Sequence, residues 1–203
     1  MLFKTPNIIA LENAHLLFIE DFFDKKEADR LLQSLTETTP WEQGEITMFG
    51  KKILEPRLSS WHGDAGKIYT YSGKTQNPLP WTQTLSFIKN KIVEQTFDAQ
   101  ATPSVFNSVL ANFYRNGQDS MGFHADDEKE LGKNPTIASV NFGESRRFIF
   151  RRKDNKAIKH ELLLTHGSLL IMSGEMQHFW QHAVPKEPNK TKPRINLTYR
   201  NIL

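Results

Sequence analysis

The chain has 203 residues, of which 38% are hydrophobic and 24% charged; this suits a folded globular protein and excludes a disordered one. There is no cysteine, so disulfides and thiolate zinc sites are excluded, and any metal must be held by His, Asp or Glu. A net charge of +3 permits a polyanionic partner without demanding one, and no apolar run is long enough to span a bilayer.

The first residues, "MLFKTPNIIALENAHLLFIEDFF", are apolar but broken by Lys4, Pro6, Glu12, Asn13 and His15. They lack a basic segment and a small-residue cleavage site, so no secretory leader and no membrane association are expected. With the missing cysteines this predicts an intracellular place, cytoplasmic in a bacterium or nuclear in a eukaryote. A helix is predicted after Asp24, which can cap it; Ala28, Leu31, Leu32 and Leu35 follow at helical spacing. The stretch from Trp41 to Thr75 reads as loop-rich. A second helix is predicted to open at Pro80, with Leu85, Ile88, Ile92 and Val93 on one face.

From Ser104 onward, short runs rich in Val, Ile, Phe, Leu and Thr are separated by Gly, Asn, Asp and Pro. The predicted fold class is mainly β with flanking helices (α+β). Two helices pack on a β-sandwich or jelly roll over 104–203, and segment 41–75 lies across one opening. One domain is expected over 1–203, as a monomer.

Residues 121–128 read "MGFHADDE". In a strand, His124 and Asp126 point to the same face. Two histidines and one carboxylate, with coordination positions left open, suit non-haem Fe(II). Among distant histidines that could complete such a triad are His160, His166, His178 and His182; "HFWQHAVP" holds two of them, and His178 rivals His182 on spacing alone. His-x-Asp is also common in solvated acidic turns. "RINLTYR" places Arg194, Asn196 and Arg200 on one face and Ile195, Leu197 and Tyr199 on the other. Arginines facing into a sandwich are costly unless an anion meets them, and guanidinium groups grip carboxylates through paired hydrogen bonds. Alternation equally allows the polar set to face outward.

Taken together, "NFYRNGQDSMGFHADDE", "SVNFGESRRFIFRRK", "HGSLLIMSG", "HFWQHAVPK" and "PRINLTYR" make the chain resemble the AlkB family of Fe(II)/2-oxoglutarate-dependent dioxygenases. The resemblance runs from about Phe49 to the C-terminus and is to the DNA-repair, homologue 2-like branch. It implies a double-stranded β-helix with a nucleotide-recognition lid. It implies His124, Asp126 and His182 as iron ligands, with Fe(II), 2-oxoglutarate and O2 as cofactor and co-substrates. Asn112 and Tyr114 would hydrogen-bond 2-oxoglutarate, Arg194 would clamp its far carboxylate, and Asn196 and Arg200 would fix the end near the metal.

The resemblance also implies that Glu128 meets the exocyclic amino group of a damaged base. Tyr69, Tyr71 and Ser72 would lie near that base, Phe49 would fill the gap left by a flipped nucleotide, and Lys51 and Arg57 would meet phosphates. The implied activity is oxidative demethylation of 1-methyladenine- or 3-methylcytosine-type bases in single- or double-stranded DNA. The alternatives are the same chemistry on RNA or protein, or a non-catalytic nucleic-acid-binding jelly roll. One departure is the short "DNKAIKHE" segment, where the family branch carries a longer basic loop; Arg151, Arg152, Lys153, Lys156 and Lys159 form a basic cluster there.

Overall fold

The computed structural model describes residues 7–48, 50–67, 69–71, 74–97 and 106–203. The chain opens with a hairpin, β1 (Asn7–Leu11) and β2 (Ala14–Ile19), turning at Asn13 with φ 59. The sequence pattern predicts no strand here. The hairpin nonetheless extends the larger sheet, because Leu16 and Phe18 alternate inward and the backbone of β2 pairs with a strand over 150 residues away.

Helix α1 (Lys25–Thr38) begins where predicted: the Asp24 carboxylate accepts the Glu27 N–H at 2.8 Å, satisfying one of the free donors of the first turn. The loop-rich stretch contains β3 (Glu45–Met48), β4 (Lys51–Leu54), β5 (Leu58–Gly63), β6 (Tyr69–Tyr71) and β7 (Lys74–Gln76). Helix α2 (Gln83–Phe97) starts later than Pro80. The Thr82 hydroxyl takes the Leu85 N–H, while the Pro80 carbonyl is held by His62 Nδ1 at 2.7 Å.

The remaining strands are β8 (Ser108–Tyr114), β9 (Met121–His124), β10 (Ile137–Gly143), β11 (Arg146–Arg152), β12 (Lys159–Leu164) and β13 (Leu169–Ser173). A single turn α3 (Met176–Phe179) then runs directly into β14 (Trp180–Val184), and β15 (Arg194–Arg200) closes the fold. One sheet has the order β1-β2-β13-β10-β15-β8-β5 and the other β12-β11-β14-β9. These are the two layers of a jelly roll, as expected.

Strand β15 settles the two readings of its alternation, because both of its faces are buried. Ile195, Leu197 and Tyr199 join the core beneath the helices with Leu31, Leu35, Leu85 and Ile88, and the Tyr199 hydroxyl donates to Leu85 O at 2.9 Å. The opposite face, carrying Arg194, Asn196 and Arg200, therefore points between the sheets. A second core, including Phe148, Phe150, Met172 and Trp180, fills the sandwich interior. No helix among the described residues is long and apolar enough to cross a membrane.

Candidate active site

His182 on β14 stands directly opposite His124, the last residue of β9. Their rings are 4.3 Å apart at 66°. Asp126 reaches them from the loop beyond β9, so the pair does not arise from alternation within one strand, as spacing alone suggested. Asp126 Oδ1 lies 3.9 Å from His124 Nε2 and Oδ2 lies 3.8 Å from His182 Nε2. The three donor atoms all fall within 4.8 Å of one another. Of the rival histidines, His178 and His160 are exposed, and His166 accepts the Gly143 N–H at 2.8 Å and faces Asp29.

Electrostatics prepare this trio for a cation. Burial pushes the Asp126 carboxyl up, but the Arg200 guanidinium above all, with His182 and His124 beside it, pulls it further down, to about 2. Arg200 Nη2 donates to Asp126 Oδ1 at 2.8 Å. Burial pushes the His182 imidazole down to about 3, helped by His124 and Arg200 and opposed by Asp126. The site thus holds a neutral imidazole and an ionised carboxylate, the forms that ligate metals. Nitrogen and oxygen donors bind first-row divalent ions at about 2.0–2.2 Å.

The trio opens into a cavity between the sheets. Asn112, Tyr114, Asn196 and Arg200 line it, with Arg57, Ser139, Met121, Phe148 and Thr198. Cross-strand register brings Asn196 opposite Asn112 and Arg194 opposite Tyr114. The Arg194 guanidinium lies 5.0 Å from the centre of the Tyr114 ring. It is 1% exposed and donates from Nη2 to Asn141 Oδ1 at 2.5 Å. Its Nε and Nη1 have no hydrogen-bond partner among the described residues. Burial lowers its pKa to about 10, against support from Tyr114, so the group remains a cation. A buried cation with unused donors calls for an anion, and a carboxylate fits a guanidinium edge. Asn196 is oriented by Ser139, Val140 O and Asn141, and accepts from Thr198.

The outer residues divide. Phe49 and Ser72 lie outside the described residues, as do the side chains of Tyr69 and Tyr71. Lys51 is exposed on β4. Glu128 follows the ligand loop, and its Oε2 is sealed from solvent with no hydrogen-bond partner among the described residues. Arg57 departs from its expected place on a phosphate. It is 4% exposed and donates to Asn112 Oδ1 at 2.8 Å and Glu55 Oε1 at 3.3 Å, so it belongs to the cavity wall. The basic cluster is largely engaged within the molecule. Arg151 donates to Gln181 and stacks 3.8 Å from the Phe123 ring centre, Arg152 pairs with Asp154 and Glu12, and Lys153 pairs with Asp127. Lys156 and Lys159 remain exposed.

Sequence reading missed Gln177, Ser139, Asn141 and Arg146. Arg146 is buried and binds Glu187 together with the carbonyls of Asn116, Asp119 and Pro185, tying together the loops behind Tyr114. The only signal was a pair of arginines opening an apolar strand, and a single sequence does not tell which of the two turns inward.

Comparison with known proteins agrees with this geometry. The sequence model described as the 2OG-Fe(II) oxygenase superfamily matches residues 15–200. The chain is 42% identical over 190 residues to the Homo sapiens "Alpha-ketoglutarate-dependent dioxygenase alkB homolog 3", covering 89% of this chain and 64% of that protein. It is 39% identical over 191 residues to the Mus musculus "DNA oxidative demethylase ALKBH2", covering 89% of this chain and 77% of that protein. A solved structure, OsALKBH1, superposes with a TM-score of 0.67 at 17% identity over 96% of this chain and 100% of that one, a likeness of fold. The chain thus spans just under two thirds of the length of the homolog 3 relative.

Proposed function

The chain belongs to the AlkB branch of the 2OG-Fe(II) oxygenase superfamily, and on that premise we propose that it is an oxidative demethylase of N-alkylated bases in DNA. The substrates are of the 1-methyladenine and 3-methylcytosine type. The observation that carries this reading is the pairing of a His-Asp-His trio with a buried arginine that keeps two donors unused. When bound, the ferrous ion with 2-oxoglutarate and O2 supplies hydroxylation of the N-methyl carbon; 2-oxoglutarate leaves as succinate and CO2, and the methyl carbon as formaldehyde.

The protein's part is positioning and charge. His124, Asp126 and His182 hold the metal, and Arg200 keeps the Asp126 carboxylate ionised and aimed. Arg194 takes the far carboxylate of 2-oxoglutarate, with the Tyr114 hydroxyl and Asn112 beside it. Asn196, fixed by Ser139 and Asn141, orients the end near the metal. Chemistry on a base edge requires the base to leave the stack, and a methyl group that blocks pairing lowers that cost. Glu128 meets the exocyclic amino group of the flipped base through its carboxylate. By the resemblance, Tyr69, Tyr71 and Ser72 would meet that base, Phe49 would fill the vacated stack and Lys51 would meet the backbone. Binding the base so that only its methyl carbon faces the metal converts a general oxidant into a selective one.

The test is mass spectrometry of methylated oligonucleotides after incubation with Fe(II), 2-oxoglutarate and ascorbate, using DNA and RNA, single- and double-stranded. Loss of the methyl group from DNA, with matching succinate, is the expected result. Turnover of RNA alone would move the assignment to RNA, and absence of succinate with every substrate would leave a binding protein.

A further inference from the structure

Asp126 lies two residues past the end of β9, and the pairing of β9 with β14 shifts register at His182. The backbone N–H of Asp126 therefore has no strand neighbour, yet the residue is buried, where an unpaired donor is costly. Gln177 supplies the acceptor: its Oε1 takes that N–H at 2.9 Å. Gln177 is itself 1% exposed and sits in α3, the single turn that leads into β14 and His182. The neighbouring acid is tied to the same turn. Lys153 Nζ bridges Asp127 Oδ2 at 2.9 Å and the Gln177 backbone carbonyl at 2.8 Å.

We propose that Gln177 is a positioning residue of the metal centre, acting through Asp126, with the Lys153–Asp127 pair as an outer strut. This rests on reading the His-Asp-His trio as a metal centre. The arrangement sets the distance between the carboxylate, which lies on a loop, and His182, which lies on a strand. Without Gln177, Asp126 would be held only through its side chain by Arg200, and metal binding would have to order the loop. The strut explains why an acid directly follows Asp126: the exposed Asp127 ties the loop, through Lys153 just past β11, to α3.

The test is Co(II) titration of the metal-free full chain, followed by visible d–d absorption, for wild type, Gln177→Leu, Gln177→Glu and Lys153→Met, with thermal unfolding of each metal-free protein as the folding check. Outer partners of metal ligands are worth roughly 10–100-fold in affinity. Gln177→Leu is expected to weaken Co(II) binding by about that factor while the metal-free protein remains folded. Gln177→Glu keeps an oxygen opposite the N–H, with Lys153 nearby to offset its charge, and is expected to recover most of the affinity. Equal weakening in both variants, or wild-type affinity in Gln177→Leu, overturns the proposal. If Gln177→Leu does not fold, Lys153→Met decides. The Lys153 side chain is 31% exposed; a loss of about threefold, the scale of a partly exposed ion pair, is expected, and unchanged affinity overturns the strut and with it the positioning role. Failure of wild type itself to bind Co(II) would instead sink the metal-centre reading.

Discussion

Arg200 and Asp126 form a buried ion pair, with Nη2 to Oδ1 at 2.8 Å across 74 residues of sequence. The pair aims a carboxylate that two imidazoles also face. Breaking one side of a buried pair leaves an uncompensated charge and costs roughly 3–5 kcal/mol. Arg200→Met is therefore expected to lower the stability of the metal-free protein by about that amount and to weaken metal uptake. Denaturant unfolding and Mn(II) titration check both. Wild-type values in the two measurements would remove Arg200 from the site.

Arg194 makes a separate prediction, because its Nε and Nη1 have no partner among the described residues and the proposed function gives them the far carboxylate of 2-oxoglutarate. A hydrogen bond to a charged group is worth roughly 1.5–3 kcal/mol. Arg194→Met is thus expected to raise the KM for 2-oxoglutarate about 10–100-fold, while the metal affinity measured without co-substrate stays at the wild-type value. Succinate formation against 2-oxoglutarate concentration reads the first quantity. An unchanged KM contradicts the clamp.

The contrast between these two arginines shows what could be read from sequence. Alternation in "RINLTYR" placed them on one face, but which face is inner depends on α1 and α2 covering Ile195, Leu197 and Tyr199. That is a tertiary fact. The hairpin β1–β2 escaped for a related reason: its partner strand β13 is remote in sequence, and Asn13 reads as a break until its positive φ makes it the turn. His182 was separable from His178 only by the resemblance, whereas the structure separates them by burial. Gln177 carried no signal at all, since a glutamine before an aromatic pair has no chemistry until Asp126 comes within reach.

The basic cluster yields a prediction about salt. Each phosphate contact on duplex DNA adds about 0.9 to the slope of log affinity against log salt. Lys156 and Lys159 are exposed, whereas Arg152 is held by Asp154 and Glu12. Neutralising both lysines is expected to lower the slope by up to about 2; Arg152→Gln is expected to leave it unchanged. Equal reductions in the two variants would show that Arg152 leaves its partners to meet DNA.

His62 sets a pH dependence. Burial pushes its imidazole below the ordinary value of 6.5, against the hydrogen bond to Pro80. The folded state thus holds it neutral, while the unfolded chain takes up a proton below that value. Stability from this group is complete above pH 6.5 and is lost as pH falls toward the lower folded value. Thermal unfolding of the metal-free protein at pH 7.5 and 5.5, buffers chosen to span that value (about 6.5), should show a smaller acid loss in His62→Gln than in wild type. An identical loss would mean His62 is charged in the folded state.

The most direct measurement is anomalous diffraction from crystals grown without oxygen in the presence of Mn(II) and 2-oxoglutarate. One metal peak within about 2.2 Å of His124, Asp126 and His182, with the far carboxylate of 2-oxoglutarate on Nε and Nη1 of Arg194, is the expected result. A metal bound elsewhere, or a co-substrate carboxylate that leaves Arg194 without an anion, would contradict it.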